Sequence, residues 1–285
     1  MEDSTSLPVA QARAHYAEEL RLLAGISSKR LHKAFATVAR EEFLPGPPWL
    51  IAPPRTIEHS GYRATDNPAD LYHDLAVALD PRAQLNSAQP SVMACMIEAL
   101  TLRAGGRVLH MGAGSGYYTA ILAATTGTMG AVTALEVLPE LAARAALALA
   151  PWPNVSLFAQ DAATHRAEPA DAILVNAGVT HVPAQWLDAL KAGGVLVAPF
   201  FVGSRAESRE ALVLRIERTA GGFTAQPLLT CAIYPCSSLC RIEEQQLLHH
   251  AIKSGAILSL KQVRIDVHKA TEACIAHMDG FCLSA

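Results

Sequence analysis

No apolar run in this chain reaches the roughly 18 to 20 residues that a membrane-spanning helix requires. Acidic Glu2, Asp3, Glu18 and Glu19 in the first thirty residues also speak against a secretory leader. The expected compartment is the cytoplasm. Neither sign of charge dominates: 23 Lys and Arg stand against 26 Asp and Glu, a formal net charge of -3. Neither a nucleic-acid backbone nor a membrane surface is therefore expected as partner. Cysteine is sparse. Six thiols in 285 residues, at positions 95, 231, 236, 240, 274 and 282, are too few for a disulfide scaffold. No CxxC pair points to a zinc finger. Cys231, Cys236 and Cys240, followed by His249 and His250, are the grouping that most invites a metal, but they lack a second ligand pair. They read as ordinary thiols, and no metal ligand is assigned.

The chain does have a hydrophobic content of 51%, enough to fill a large α/β core with attachments. Residues 9–44 carry a helical pattern, with Tyr16, Leu20 and Leu23 on one face and Leu31, Phe35 and Val38 continuing it after a break at 25–28. Pro45, Pro47, Pro48, Pro53 and Pro54 then predict a loop, and the stretch up to Pro81 reads as irregular. From Pro90 a helix through Met93, Met96, Ile97 and Leu100 leads into alternating units. Strands are predicted at 107–111, 131–136, 155–159, 172–176 and 195–200, with helices at 117–124, 139–150 and 183–190. Strands separated by helices pair in parallel through right-handed crossovers. Segments 211–218 and 223–234 flank Thr219-Ala220-Gly221-Gly222 and predict an antiparallel hairpin at the sheet edge. The tail after Ser237 predicts a helix and one extended piece, without a motif. The expected fold is α/β, a Rossmann-like doubly wound, mostly parallel sheet with an antiparallel edge hairpin. It divides into a helical and loop segment (1–80), a core (81–235) and a C-terminal extension (236–285).

Between the first predicted core strand and its helix lies Gly112-Ala113-Gly114-Ser115-Gly116-Tyr117. Glycines there allow a tight turn and close approach of a ligand to backbone. The spacing is GxGxG, not the GxGxxG that seats a pyrophosphate at a helix N-terminus. A cofactor without pyrophosphate, a nucleoside joined through sulfur to an amino acid, fits better. Glu136 ends the next strand, 20 residues after Gly116, where a carboxylate can accept from both hydroxyls of a ribose. Asp161 follows the third strand, where it can accept from an adenine amino group.

These residues, with Leu23-Ala24-Gly25-Ile26, residues 39–45, Ser87-Ala88-Gln89-Pro90, Ala170-Asp171-Ala172-Ile173 and residues 190–194 in the same order, resemble class I S-adenosylmethionine methyltransferases. The narrower resemblance is to the protein-L-isoaspartate O-methyltransferase superfamily, over roughly residues 20 to 235. It implies an S-adenosyl-L-methionine cofactor held by Gly112, Ala113, Gly114, Ser115, Gly116, Glu136 and Asp161, with the N-terminal segment over the acceptor side. The implied partner is a carboxylate-bearing protein, peptide or small molecule. Ser87, Asn176 and His181 are the acceptor-side candidates. An ionised carboxylate is already nucleophilic, so transfer to it needs alignment more than a base. A hydroxyl acceptor would need one, and His181, in the loop after the fourth core strand, is the best placed; His59, His73 and His110 are weaker candidates. A binding protein that keeps the cofactor fold without transfer activity is the other alternative. Three departures from the family stand out: His110 where an acid is usual, Ala39 for a proline, and Ser87 displaced by one position. With the unmatched tail, they predict a divergent branch, weak on generic isoaspartyl peptides.

Overall fold

The computed structural model describes residues 8–52, 62–80, 85–203 and 209–285. Glu2, Asp3, Pro53, Pro54, His59 and Pro81 lie outside the described residues. The N-terminal segment folds into α1 (Val9–Leu23) and α2 (Lys29–Thr37). Ser28 caps α2 by accepting from the backbone of Leu31. The buried face of α1 is formed by Ala12, Tyr16, Ala17 and Leu20, whereas Leu23, the last residue of the helix, is 59% exposed. Leu31, Phe35 and Val38 are buried as expected.

The proline-rich stretch is less irregular than its composition suggests. Four short strands, β1 (Trp49–Ala52), β2 (Arg63–Thr65), β3 (Ala76–Asp80) and β4 (Leu85–Asn86), form an antiparallel sheet in the order β2-β1-β3-β4. Strands of two to five residues offer too few alternations to stand out from a loop. Trp49 and Ile51 nonetheless alternate inward.

The core follows as α3 (Pro90–Ala99), β5 (Arg107–Met111), α4 (Tyr117–Thr126), β6 (Ala131–Glu136), α5 (Pro139–Leu149), β7 (Val155–Ala159), β8 (Ala170–Val175), α6 (Ala184–Ala189) and β9 (Leu190–Phe201). Next come the hairpin β10 (Glu210–Thr219) and β11 (Gly222–Ala232), then α7 (Ile242–Lys253), β12 (Gln262–Arg264), β13 (Cys274–Met278) and β14 (Phe281–Ser284). One ten-stranded sheet runs β13-β14-β12-β11-β10-β9-β8-β5-β6-β7, parallel from β7 to β9 and antiparallel beyond. The tail therefore adds three strands outside the hairpin, where one extended piece was expected. Their three to five residues were too short to register as a pattern.

Period-two alternation divides the sheet's side chains between two cores. Val108, Ala172, Leu174, Val195 and Val197 face α1 to α4, while Leu109, Ile173, Val175, Leu196 and Ala198 face α6, α7 and the tail. Each fully buried side chain of this kind contributes about 1.5–3 kcal/mol. Helix α4, with nine of its ten residues buried, is sandwiched between sheet and α2. β11 carries a bulge opposite Val213 and Leu214, where Pro227 takes up the register after Leu229.

Candidate active site

β5 lies between β6 and β8, so the connections on its two sides run in opposite directions. A crevice opens there beyond the carboxyl ends of the strands, the usual ligand position in open α/β sheets. The three glycines of the loop after β5 do three different things. A Cβ on Gly112 (φ +82°) would stand 3.2 Å from the Asn176 carbonyl oxygen, so only glycine lets β5 and the β8 loop close up. Gly114 (φ +58°) has open space where a side chain would go, and its N–H donates to Glu136 Oε2 at 2.7 Å. A Cβ on Gly116 (φ +92°) would meet Leu149 Cδ1 at 3.0 Å and Ala145 Cβ at 3.4 Å, both on α5. Gly116 thus provides the close helix packing, and Tyr117 turns into the core with its ring centroid 5.9 Å from that of Phe43. Ala113 and Ser115 are buried behind the loop.

The crevice opens into a cavity of about 560 Å³. Gly112, Gly114, Glu136, Asp161 and Asn176 all line it. Glu136 is only 6% exposed; Oε1 accepts from the Leu138 N–H at 2.9 Å and Oε2 from Gly114. Burial raises its pKa, against the pull of those backbone donors. A carboxylate has about four acceptor sites, so the backbone donors of Leu138, Gly114 and Val137 still leave capacity for a hydroxyl arriving from the cavity. Asp161 Oδ1 accepts from Ala163 N at 2.9 Å and from Ser238 Oγ at 3.1 Å, which ties the third core strand to the chain after β11.

Two acceptor-side candidates do not join this group. Ser87 Oγ receives bonds from Arg40 Nη2 and Val77 N, both at 3.1 Å, and is 7% exposed, behind a wall formed by its neighbours Asn86 and Ala88. His181 is absent from the lining as well: its Nδ1 lies 2.7 Å from Glu244 Oε2, and Thr180 Oγ1 donates to the same oxygen at 2.6 Å. That cluster fastens α7 to the loop after β8. His73 and His110 also lie off the cavity wall.

A sequence model of the protein-L-isoaspartate(D-aspartate) O-methyltransferases matches residues 12–238. The chain belongs to this family. The protein-L-isoaspartate O-methyltransferase of Anaeromyxobacter dehalogenans is 36% identical over 221 residues, covering 75% of this chain and 92% of its own. That of Ignicoccus hospitalis is 31% identical over 214 residues, 74% of this chain and 90% of its own. A solved protein-L-isoaspartate O-methyltransferase superposes with a TM-score of 0.64 at 25% identity, over 85% of this chain and 69% of that one. A Plasmodium falciparum structure described as a beta-aspartate methyltransferase in complex with S-adenosyl-L-homocysteine shares the fold, with a TM-score of 0.60 at 17% identity over 78% and 97% of the two chains.

Within this protein-L-isoaspartate O-methyltransferase family member, His110 is a core residue. It is fully buried with Nδ1 2.9 Å from Thr119 Oγ1, and burial lowers its pKa to about 3. It is neutral in the folded protein near neutral pH and protonates near pH 6.5 once unfolded. Its contribution to stability is therefore complete above about pH 6.5 and is lost progressively as pH falls toward 3. Between about pH 6.5 and 5 the loss amounts to roughly 2 kcal/mol. Urea unfolding at the two pH values should show that extra loss in the wild type and not in His110→Gln. Equal pH dependence in both proteins would mean that His110 titrates normally.

Sequence reasoning missed several parts of the wall. Asn86 and Gln89 enter from β4 and the start of α3, and Gln160 precedes Asp161. Arg209 and Tyr234 come from the two flanks of the hairpin, with the guanidinium 3.9 Å from the ring centroid. Gln160 was legible through its neighbour. Arg209 and Tyr234 were not, because only antiparallel pairing brings them together.

Proposed function

We propose that this protein is an S-adenosylmethionine-dependent O-methyltransferase acting on a carboxylate of a protein or peptide, with the isoaspartyl side chain for which its relatives are named as the first candidate. The observation that carries this reading is the buried Glu136, its remaining acceptor capacity turned to a cavity whose wall also contains Arg209. The cradle suits the cofactor: the space in front of Gly114 is space that a Cβ would fill, and acids stand at two successive strand ends. Glu136 would accept from the ribose hydroxyls and Asp161 from the adenine amino group. Gly112 and Asn176 would keep backbone close to the amino-acid end. Bound S-adenosylmethionine supplies an electrophilic methyl on sulfonium. Among the described residues Arg209 is the cation in the cavity wall, suited to orient an anionic acceptor, while the apolar side chains of Val92, Met93 and Met96 exclude water. No side chain need remove a proton, because an acceptor carboxylate is ionised at neutral pH. The segment before residue 81 serves the acceptor side, since β3 contributes Ala76 and Leu79 to the wall beside Leu85 and Asn86 of β4.

The displaced Ser87 does not weigh against an isoaspartyl acceptor, because its hydroxyl is already engaged by Arg40. Steady-state transfer of radiolabelled methyl to an isoaspartyl peptide should reach about 10⁴ M⁻¹s⁻¹ or more. Calorimetry should detect S-adenosylhomocysteine and not NAD; the reverse would end this reading. Glu136→Ala should weaken S-adenosylhomocysteine binding by about 1–3 kcal/mol, the cost of leaving buried hydroxyl donors without a charged acceptor. Unchanged affinity would reduce Glu136 to a fastener of the glycine loop.

A further inference from the structure

The tail strands bring together four side chains that the carboxyl-methylation chemistry does not use. His268, Cys274, His277 and Cys282 each offer one nitrogen or sulfur, and these atoms lie within 4.8 Å of one another. Among the described residues this is the cluster that could hold a metal ion. The cysteines weighed at 231, 236 and 240 are not part of it: Cys240 Sγ bonds to the Gly178 carbonyl and Cys236 Sγ to Ser238.

The backbone explains how the four converge. His277 is the cross-strand partner of Cys282, so both point to the same face of the β13–β14 pair. Cys274 pairs with Ser284 and Ala276 with Leu283, which leaves Ile275 as an extra residue. Without that bulge, Cys274 and His277 would point to opposite faces; with it, Cys274 joins Cys282 and His277. Phe281 and Leu283 point the other way, into the core. The loop 265–273 then crosses the polar face and lays His268 over it. His268 Nδ1 lies 2.9 Å from the Asp266 carbonyl, so the ring donates there and turns its Nε2 to Cys274 Sγ, at 3.7 Å. A metal-bound histidine is held in just this way by its other ring nitrogen. Thr271 supplies the matching support for the sulfur, its N–H 3.3 Å from Cys274 Sγ.

We propose that His268, Cys274, His277 and Cys282 form a structural zinc site that clamps the loop 265–273 onto the last two strands. Two thiolates neutralise the ion and two imidazoles complete a closed tetrahedron, with no position left for substrate. In such a site the ligand atoms stand about 3.3–3.8 Å apart, so the widest separation in the present cluster, 4.8 Å, has to contract by about 1–1.5 Å. The clamp also accounts for two otherwise costly features. His277 Nδ1 is buried without a hydrogen-bond partner. Beyond Ile265, which packs against the core, the loop has no apolar anchor among its described residues: Val267 is fully exposed and Asp266, Lys269 and Glu272 all face solvent. The soft sulfur and imidazole donors favour zinc over magnesium or calcium.

The full chain, purified from zinc-supplemented cells, should contain about one zinc per molecule by inductively coupled plasma mass spectrometry. After chelation under reducing conditions, added cobalt(II) should give thiolate charge-transfer absorption together with the intense d–d bands of a tetrahedral site. Cys274→Ser with Cys282→Ser should abolish both signals, while Cys236→Ser with Cys240→Ser should leave them intact. Retention of zinc by the first pair would overturn the site. Should that pair fail to fold, the wild-type titration decides alone: no cobalt uptake by reduced, folded protein, or uptake without sulfur charge transfer, refutes the assignment. Neither result bears on methyl transfer.

Discussion

Arg40→Met lowers the unfolding free energy by about 3–5 kcal/mol, the size of loss expected when several buried acceptors are deprived of one shared charged donor. Arg40 is fully buried, with Nη1 donating to the carbonyls of Leu71 and His73 and Nη2 to the Leu75 carbonyl and Ser87 Oγ. Its guanidinium also lies 5.9 Å and 5.8 Å from the ring centroids of Tyr16 and Tyr117. Methionine fills much of the volume but donates nothing, and each stranded acceptor then costs about 1–3 kcal/mol before relaxation. Against a typical total of about 5–15 kcal/mol, such a loss is decisive at elevated temperature. Urea denaturation supplies the measurement. Ser87→Ala belongs to the same test, because a residue that only supports Arg40 loses about 1 kcal/mol of stability with turnover retained. A large fall in kcat with unchanged stability would instead return Ser87 to the acceptor site.

The second large effect separates the glycines that follow β5. Gly116→Val places a branched side chain at φ +92° against Leu149 and Ala145. Left-handed strain of about 1–2 kcal/mol and overpacking of about 1–3 kcal/mol together predict a loss of roughly 2–5 kcal/mol in stability. Gly114→Ala bears only the backbone strain, because nothing lies within 4 Å of its Cβ, but its methyl group enters the cavity. Its stability should fall by no more than about 2 kcal/mol, with S-adenosylhomocysteine affinity down about tenfold or more, equivalent to roughly 1.4 kcal/mol. Thermal unfolding and calorimetry on both variants separate the two roles. Two variants with the same profile would show that the loop responds as one unit.

These contrasts also mark what could be read from the chain alone. Gly112, Gly114, Glu136 and Asp161 were legible because each sits at the end of a strand whose position follows from local alternation, and parallel topology gathers strand ends on one side. His181 looked functional for the same local reason and Ser87 through the family resemblance, yet their partners are Glu244 and Arg40, which lie 63 and 47 residues away in the chain. Nothing near Ser87 signals a buried guanidinium. Arg209 and Tyr234 depend on hairpin pairing in the same way, and the tail cluster depends on a one-residue bulge that no periodicity shows.

The irregularity of β11 has a consequence for solubility. Among the described residues β12 pairs only with its beginning, at Phe223 and Thr224, with the Ala225 amide bonded to the Lys261 carbonyl, so no further strand pairs with the rest of that edge. Pro227 supplies no amide hydrogen, and the adjacent bulge breaks the spacing that an incoming strand would have to match. That half of the strand is thereby a poor seed for sheet-to-sheet aggregation.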